Sequence, residues 1–475
     1  MLIGRQKEQK LLLNALKADE SQFIAVYGRR RIGKTYLIRE TFQNKFAFQH
    51  TGLQKGDKKE QLAEFRRSLK SARMKKIPAF NDWSEAFFSL GQFLETLPEG
   101  KKVIFIDELP WLDTPKSKMV SALDHFWNAW ASARKDILLV VCGSATSWII
   151  SKIVKNYGGL HNRLTRQIYL EPFSLHECEL FANANNLKMS RKNILETYMV
   201  LGGVPYYWQF LQKENSPAQN IDILFFNRNA ELRNEYKALY VSLFKNPQPY
   251  IEIVEALGKK KVGMTRQEII TEIKKNEGGK LTKTLEELEE CDFIRSYQSF
   301  GKKTKETVYQ LIDNFTLFYF KFIEGRKIKE KDYWQKMQIT SDYATWCGLA
   351  FERVCLQHIE QIKQALGISG IISRVFSWYY KPQNPKESGA QIDLVIDRDD
   401  NIINLCEIKY SKSEYVITSA YEKKLRLKAD VFQRKTQTRK GVSTIMITSF
   451  GLADNQYAND ISRKITMDDL FKDFD

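Results

Sequence analysis

The sequence has 475 residues, 28% charged and 43% hydrophobic, enough to bury several cores and to fold as roughly three or four domains. No apolar run is long enough to cross a bilayer, and the opening MLIGRQKEQK lacks the basic start and apolar body of a secretory leader, so a transporter or secreted role is excluded and a soluble, cytoplasmic protein is expected. Six scattered cysteines without a CxxC and five histidines that do not join them argue against zinc and disulfides, while the +17 charge, 74 basic against 57 acidic side chains, favours a polyanionic partner such as nucleic acid.

From Phe23 to Phe173 short apolar runs alternate with helix-period segments. FIAVYG, KFAFQHT, KVIFIDEL, DILLVVCGSA and RQIYLEPF read as strands, with WSEAFFSLGQFLETL and SKMVSALDHFWNAWASAR as helices between them. Continuous apolar strands separated by helices predict a mainly parallel sheet covered on both faces. Directly after the first strand comes GRRRIGKT, which fits GxxxxGK[ST] and precedes a helix. In that context the loop Gly28, Arg29, Arg30, Arg31, Ile32, Gly33, with Lys34, Thr35 and Tyr36 opening the helix, is the expected ATP contact. Its backbone N–H groups wrap phosphates, Lys34 reaches the terminal ones and the Thr35 hydroxyl ligates Mg²⁺.

Between Thr51 and Lys76 nine basic residues stand against three acidic ones on what reads as a helix. A solvated helix face and a phosphate-tracking surface both fit that pattern. The strand KVIFIDEL then ends in Asp107 and Glu108. One acid suits the Mg²⁺ shell and the next can polarise water for attack on the γ-phosphate, so hydrolysis and not only binding is expected.

Together these residues resemble the archaeal-type branch of the AAA+ and STAND P-loop ATPases across roughly the first half of the chain. LIGRQKEQKLLLNAL is similar to that family's opening box, which implies that Gly4 and Arg5 lie near the nucleotide base. VVCGSA occupies the sensor strand and implies Ser144 near the γ-phosphate. GGLHNRLTRQIYLEPFS resembles the arginine-finger segment, with Arg163 the candidate and Arg166 the alternative, and LGGVPYYWQFL resembles the lid motif. A finger acts on a neighbour's nucleotide, so the resemblance implies a homo-oligomer when ATP is bound.

From Leu175 to about Tyr240 the pattern is helical, suiting a lid beside the sheet. The next segment, GMTRQEIITEIKKNEGGKLTKTLEELEECDFIRSYQSFGKKTKETVYQLID, reads as helix, turn at Gly278 and Gly279, helix, and a hairpin closed near Gly301. That order matches a winged helix. Its second helix carries Lys280 and Lys283 followed by Glu286, Glu287, Glu289 and Glu290, which would repel phosphates in a major groove, although the tip FGKKTKE is basic. A DNA reader and a protein-docking module both remain open. EGRKIKEKDYWQK then reads as a charged linker.

The last part opens with the helix CGLAFERVCLQHIEQI and continues through SRVFSWYY, QIDLVIDR and IINLCEIKY as strands. The polar run DRDDN is a turn whose middle lies near Asp400. Antiparallel pairing about that turn sets Asp393 opposite Glu407, with Cβ atoms about 5 Å apart, and Lys409 on the same face. Two carboxylates converging on one face suit a divalent metal, Mg²⁺ or alternatively Mn²⁺, with Lys409 orienting water or steadying charge on a phosphodiester. A solvent-facing strand with alternating charges is the plain alternative.

This segment resembles the PD-(D/E)XK nuclease superfamily over roughly residues 341–440. The resemblance implies that Asp393 is the first motif acid, Glu407 and Lys409 the (D/E)xK, and Glu352 of GLAFERV the helix glutamate that completes the metal site. No proline precedes Asp393, and YEKKLRLKADVFQRKTQTRK is basic where a glutamine motif belongs. The expected architecture is therefore α/β: an AAA+ core over 1–174, a helical lid over 175–245, a winged helix over 250–315, a linker over 316–340 and a nuclease-like domain over 341–475. The expected activity is Mg²⁺-dependent ATP hydrolysis coupled to a nuclease-like domain acting on DNA. The rival readings are a STAND-like regulatory switch, or a DNA-binding ATPase whose nuclease fold is only a platform.

Overall fold

The computed structural model describes residues 2–154, 163–244, 246–274, 278–298, 300–301, 306–326, 331–382, 384 and 387–473. It divides into two compact units, Met1–Pro172 with Ser242–Lys245, and Phe173–Val241 with Asn246–Asp475.

The first unit is built on five parallel strands, β1 (Gln22–Tyr27), β2 (Phe48–Thr51), β3 (Lys102–Asp107), β4 (Ile137–Gly143) and β5 (Arg166–Tyr169), in the order β2-β3-β4-β1-β5. The parallel sheet read from the apolar runs is present. Strands β3 and β4 are buried at every position because helices cover both faces. On one face Phe65, Trp83, Phe87, Leu90, Phe126 and Trp127 pack, on the other Leu37 and Ile38 of the Lys34–Thr41 helix and Phe42, which follows it. The basic stretch 51–76 is helical only over Lys58–Ser71, where Asp57 accepts from the Glu60 N–H and Glu60 accepts from the Asp57 N–H. That reciprocal cap fixes the helix start seven residues later than the charge pattern implied.

The second unit begins with helices Leu175–Ala184 and Arg191–Leu201. These were expected to form a lid beside the first sheet. They fall in the compact unit that contains the carboxy-terminal sheet, and they bond within it: His358 Nε2 accepts from the Leu175 N–H at 3.0 Å, and Tyr410 Oη donates to Glu196 at 2.9 Å. Helices Gln248–Gly258, Arg266–Ile273 and Gly278–Glu290 and strands β6 (Met264–Thr265), β7 (Ile294–Tyr297) and β8 (Val308–Leu311) follow, the strands forming an antiparallel sheet in the order β6-β8-β7. Of the expected basic hairpin tip, Lys302, Lys303 and Lys305 lie outside the described residues.

Where a linker was expected over 316–340, the described residues include packed helices. The helix Asn314–Phe322 buries Phe315, Phe318 and Phe322, and Trp334 packs edge-on against Phe318, Phe322 and Tyr343. Lysines clustered around 327–336 obscured this stripe of aromatics, which follows helical spacing. Asp222, buried far upstream, accepts from the Trp334 N–H at 2.7 Å and the Gln335 N–H at 3.2 Å, so it caps the short Tyr333–Met337 helix from a distance.

The carboxy-terminal sheet contains β9 (Ser373–Tyr380), β10 (Ala390–Arg398), β11 (Ile402–Lys409), β12 (Gly441–Thr448) and β13 (Arg463–Thr466), ordered β13-β12-β11-β10-β9. Strand β10 runs antiparallel to both β9 and β11, whereas β11, β12 and β13 run parallel, with the helix Ser419–Thr436 crossing between β11 and β12. The helix Ser341–Gln357 buries Trp346, Cys347, Phe351, Val354 and Cys355.

Candidate nucleotide site and carboxy-terminal acid pair

The register of the first sheet decides which loops meet. Tyr27 pairs with Gly143 on one flank of β4, and Ile106 pairs with Val141 on the other. The carboxyl ends of β1, β3 and β4 therefore lie side by side, where α/β sheets collect their ligands. Gly28 turns with φ +139 and Gly33 with φ +90, both in the range glycine alone adopts without strain. A Cβ on Gly28 would run into the Leu170 carbonyl, whereas a Cβ on Gly33 would meet nothing, so the loop is packed from below and open above. Lys34 Nζ donates to the carbonyls of Gly28 and Arg29, each at 2.8 Å, and is held over the loop that would cradle phosphates.

Thr35 Oγ1 donates to Asp107 Oδ2 at 2.9 Å. Asp107 Oδ1 accepts from the Glu108 N–H at 2.9 Å and from the Cys142 thiol at 2.7 Å. Glu108 itself sits at φ +49, a left-handed conformation uncommon for a residue with a side chain. It is met there by Ser144, whose N–H donates to Oε2 at 3.0 Å and whose Oγ lies 3.0 and 2.9 Å from the two oxygens. Burial raises the Glu108 pKa, and the Ser144 bonds and the Lys34 charge oppose that shift. Gly143 permits the approach, since a Cβ there would stand 2.5 Å from Pro110 Cδ.

The residues suit Mg²⁺ held with a nucleotide. A hydroxyl and a carboxylate oxygen adjoin, and an ion carried on phosphates needs only one or two protein oxygens. Among the described residues no group of three or more His, Cys, Asp or Glu side chains stands together as a metal cluster.

The other candidates are more dispersed. Gly4 and Arg5 are buried, and Arg5 Nη2 donates to the Glu171 carbonyl at 2.6 Å, tying the amino terminus to the end of β5. Arg30, Arg31 and Ile32 complete the loop, Ile32 facing the core, while Tyr36 is 49% exposed. Arg163 and Arg166 are both exposed, Arg166 as the first residue of β5. Residues 158–162 of the finger-like segment lie outside the described residues.

In the second unit, β10 and β11 pair Leu394 with Cys406 and Val395 with Leu405, a register that sets Asp393 opposite Glu407. On its other side β10 slips by one residue against β9 between Ile392 and Val395. This bulge re-aims Asp393, whose carboxylate accepts the Ile408 N–H at 3.2 Å. Burial, Glu407 and Glu352 push the Asp393 pKa up to about 6.

The partners of these acids are cations from the chain itself. Lys409 Nζ lies 3.0 Å from Glu407 Oε1. Lys428, on the Ser419–Thr436 helix, lies 2.7 and 2.6 Å from the two Glu407 oxygens. Burial raises the Glu407 pKa, but the two ammonium groups overcome it and hold the carboxyl low. Glu352 is likewise engaged, by Lys261 at 2.8 Å and Arg353 at 3.1 Å. Both oxygens of Glu407 and both of Glu352 are thus taken by cations, and the residues present do not fit a divalent metal at this site. These ion pairs stand against the metal centre expected at Asp393 and Glu407.

Two residues at these sites were not singled out from the sequence. Cys142, within the apolar run of β4, gave no signal beyond its place two residues before Ser144. Lys428 did leave one: Leu425, Lys428 and Phe432 fall at i, i+3 and i+7, so a lysine interrupts the helix's buried stripe. The module over 248–311 also turns inward. Arg353 donates to the carbonyls of Leu311 and Lys261, and the Phe300 ring rests on Phe376 and Phe432 of the carboxy-terminal core. Glu289 accepts the Ser296 N–H and Glu287 accepts from Tyr250, so two of that helix's acids serve its own fold.

The profile of an ATPase domain found predominantly in Archaea matches residues 2–210, and the profile of archaeal and bacterial proteins of unknown function matches residues 318–423. Residues 2–210 are thus similar to an archaeal-type ATPase domain. An uncharacterized protein of Methanocaldococcus jannaschii is 27% identical over 418 residues, 84% of this chain and 85% of that protein. Among solved structures, the Walker-type ATPase of Pyrococcus abyssi aligns at 17% identity and TM-score 0.49 over 66% of this chain and 95% of its own. The ORC2 protein of Aeropyrum pernix aligns at 14% identity and TM-score 0.35 over 65% and 90%. No described helix is long and apolar enough to cross a membrane.

Proposed function

We propose that this chain is a Mg²⁺-dependent ATPase of AAA+ or STAND type, working in the cytoplasm, that couples ATP turnover to engagement of DNA through a carboxy-terminal domain of PD-(D/E)XK-like fold acting as a binding platform. The observation that carries the ATPase reading is the continuous bonding of Thr35 to Asp107 and of Ser144 to Glu108 beside the open phosphate loop. Lys34 would meet the terminal phosphates, and Thr35 with Asp107 would hold the Mg²⁺ shell. The bound ion would neutralise charge developing on the γ-phosphate. Glu108, desolvated and steered by Ser144, would take the proton of the attacking water.

Arg163, with Arg166 as the alternative, would reach a neighbouring subunit's nucleotide and so make turnover depend on assembly. The +17 charge supports a nucleic-acid partner. The order helix, strand, two helices, hairpin over 248–311 supports a winged helix. Its contacts with Glu352, Arg353 and Phe376 favour the docking reading of that module over DNA reading. The platform reading of the carboxy-terminal domain is favoured by the cations on Glu407.

A second reading, nucleolytic cleavage, is favoured by the register that brings Asp393 opposite Glu407 beside Lys409. One experiment separates them. Phosphate release is measured with and without single-stranded, duplex and branched DNA, and the same labelled DNA is followed for cleavage with Mg²⁺ or Mn²⁺. DNA-stimulated turnover abolished by Lys34→Ala, with intact DNA, is the expected result. Cleavage lost in Asp393→Ala would establish the second reading, and turnover indifferent to every DNA would remove the coupling.

A further inference from the structure

The buried acid pair of the carboxy-terminal sheet poses a charge problem that the chain solves with its own side chains. Asp393 and Glu407 carry two negative charges, and Lys409 and Lys428 supply two positive ones. Lys428 reaches Glu407 from a different element, the crossing helix, and its side chain is only 14% exposed. Its ammonium spans both carboxylate oxygens at 2.7 and 2.6 Å. A divalent ion would need one of those oxygens at about 2.0–2.1 Å. It would therefore have to displace an ammonium group already paired there. Adding two further charges to a balanced, buried cluster also costs desolvation with no unpaired carboxylate on Glu407 to offset it.

We propose that Lys428 is the resident cation of this domain, holding the Glu407 oxygens that a divalent metal would need and making the carboxy-terminal site metal-independent. This inference rests on the platform reading of that domain, and its test involves no DNA, so the two fail separately. The ammonium also ties the Ser419–Thr436 helix to β11, a role that a diffusible ion fills only when it is bound.

The test is a Mn²⁺ titration of the nucleotide-free full chain, followed by electron paramagnetic resonance. The phosphate-loop site contributes little under these conditions because its ion arrives with the nucleotide. Wild type is expected to show no binding that depends on Asp393. Lys428→Ala, and Lys428→Gln as the neutral variant that keeps a hydrogen-bond donor on a side chain one atom shorter, are expected to bind Mn²⁺ at least about tenfold more tightly, a change of about 1.4 kcal/mol. Adding Asp393→Asn should abolish that gain. Circular dichroism establishes that each protein is folded. Wild-type binding that disappears in Asp393→Asn would overturn the proposal, as would folded Lys428 variants that bind no better than wild type. If neither Lys428 variant folds, the wild-type arm decides: Asp393-dependent binding overturns the proposal, and its absence upholds it.

Discussion

Ser144 holds Glu108 twice, by a main-chain N–H at 3.0 Å and by a hydroxyl 2.9 Å from the same oxygen. A carboxylate fixed from a neighbouring strand is aimed before any water arrives, which is what a general base requires. Glu108→Gln should therefore keep nucleotide affinity while lowering phosphate release by about 10²-fold or more, and Ser144→Ala should lower it by less. Burial raises the Glu108 pKa, so turnover should climb with pH as that carboxyl ionises. A Glu108→Gln protein that hydrolyses ATP at the wild-type rate would remove this residue from the chemistry.

Asp393 makes stability pH-dependent. Its folded pKa, about 6, lies above the ordinary 3.8, so the native state binds the proton more tightly than the unfolded chain. That contribution is present at low pH and is lost as pH rises from about 4 through about 6, a cost of about 3 kcal/mol at neutral pH. Asp393→Asn retains an acceptor for the Ile408 N–H and should raise Tm at pH 8 while changing it little at pH 4. Equal shifts at both values would show that the carboxyl is not desolvated in solution.

Glu352 is expected to act as a structural brace. Arg353, 4% exposed, and Lys261, 43% exposed, both pair with it. Glu352→Gln leaves a buried guanidinium short of its counter-charge and should cost about 2–3 kcal/mol in denaturant unfolding, discounted for the exposed lysine. An unchanged midpoint would argue against that role.

Asp222 offers a test of the aromatic segment after 314. Asp222→Ala strips the caps from the Trp334 and Gln335 N–H groups inside a buried site and should cost about 2 kcal/mol. Quenched or shifted tryptophan emission together with a lower Tm is expected, and a wild-type melt would contradict it.

Much of this was legible because it is local. Apolar runs with a Gly-rich turn and a lysine fix a strand, a loop and a helix start within a few residues, so the phosphate loop could be read directly. The distance from Asp393 to Asp400 equals that from Asp400 to Glu407, so the hairpin register followed from counting. The lysine-rich stretch near 330 misled because charge outweighed the spacing of Phe315, Phe318, Phe322 and Trp334, and only burial distinguishes a linker from an aromatic core.

By itself the sequence determined the parallel sheet, the nucleotide loop, the acids at the end of β3 and the pairing that sets Asp393 opposite Glu407. Tertiary structure decided the rest. It inserted β4 between β1 and β3 and so delivered Ser144 to Glu108, it turned Asp393 at a one-residue bulge, and it brought Lys428 from a crossing helix onto Glu407. The physical reason is that a carboxylate's chemistry depends on which charges share its buried neighbourhood, and those charges come from residues distant in the chain.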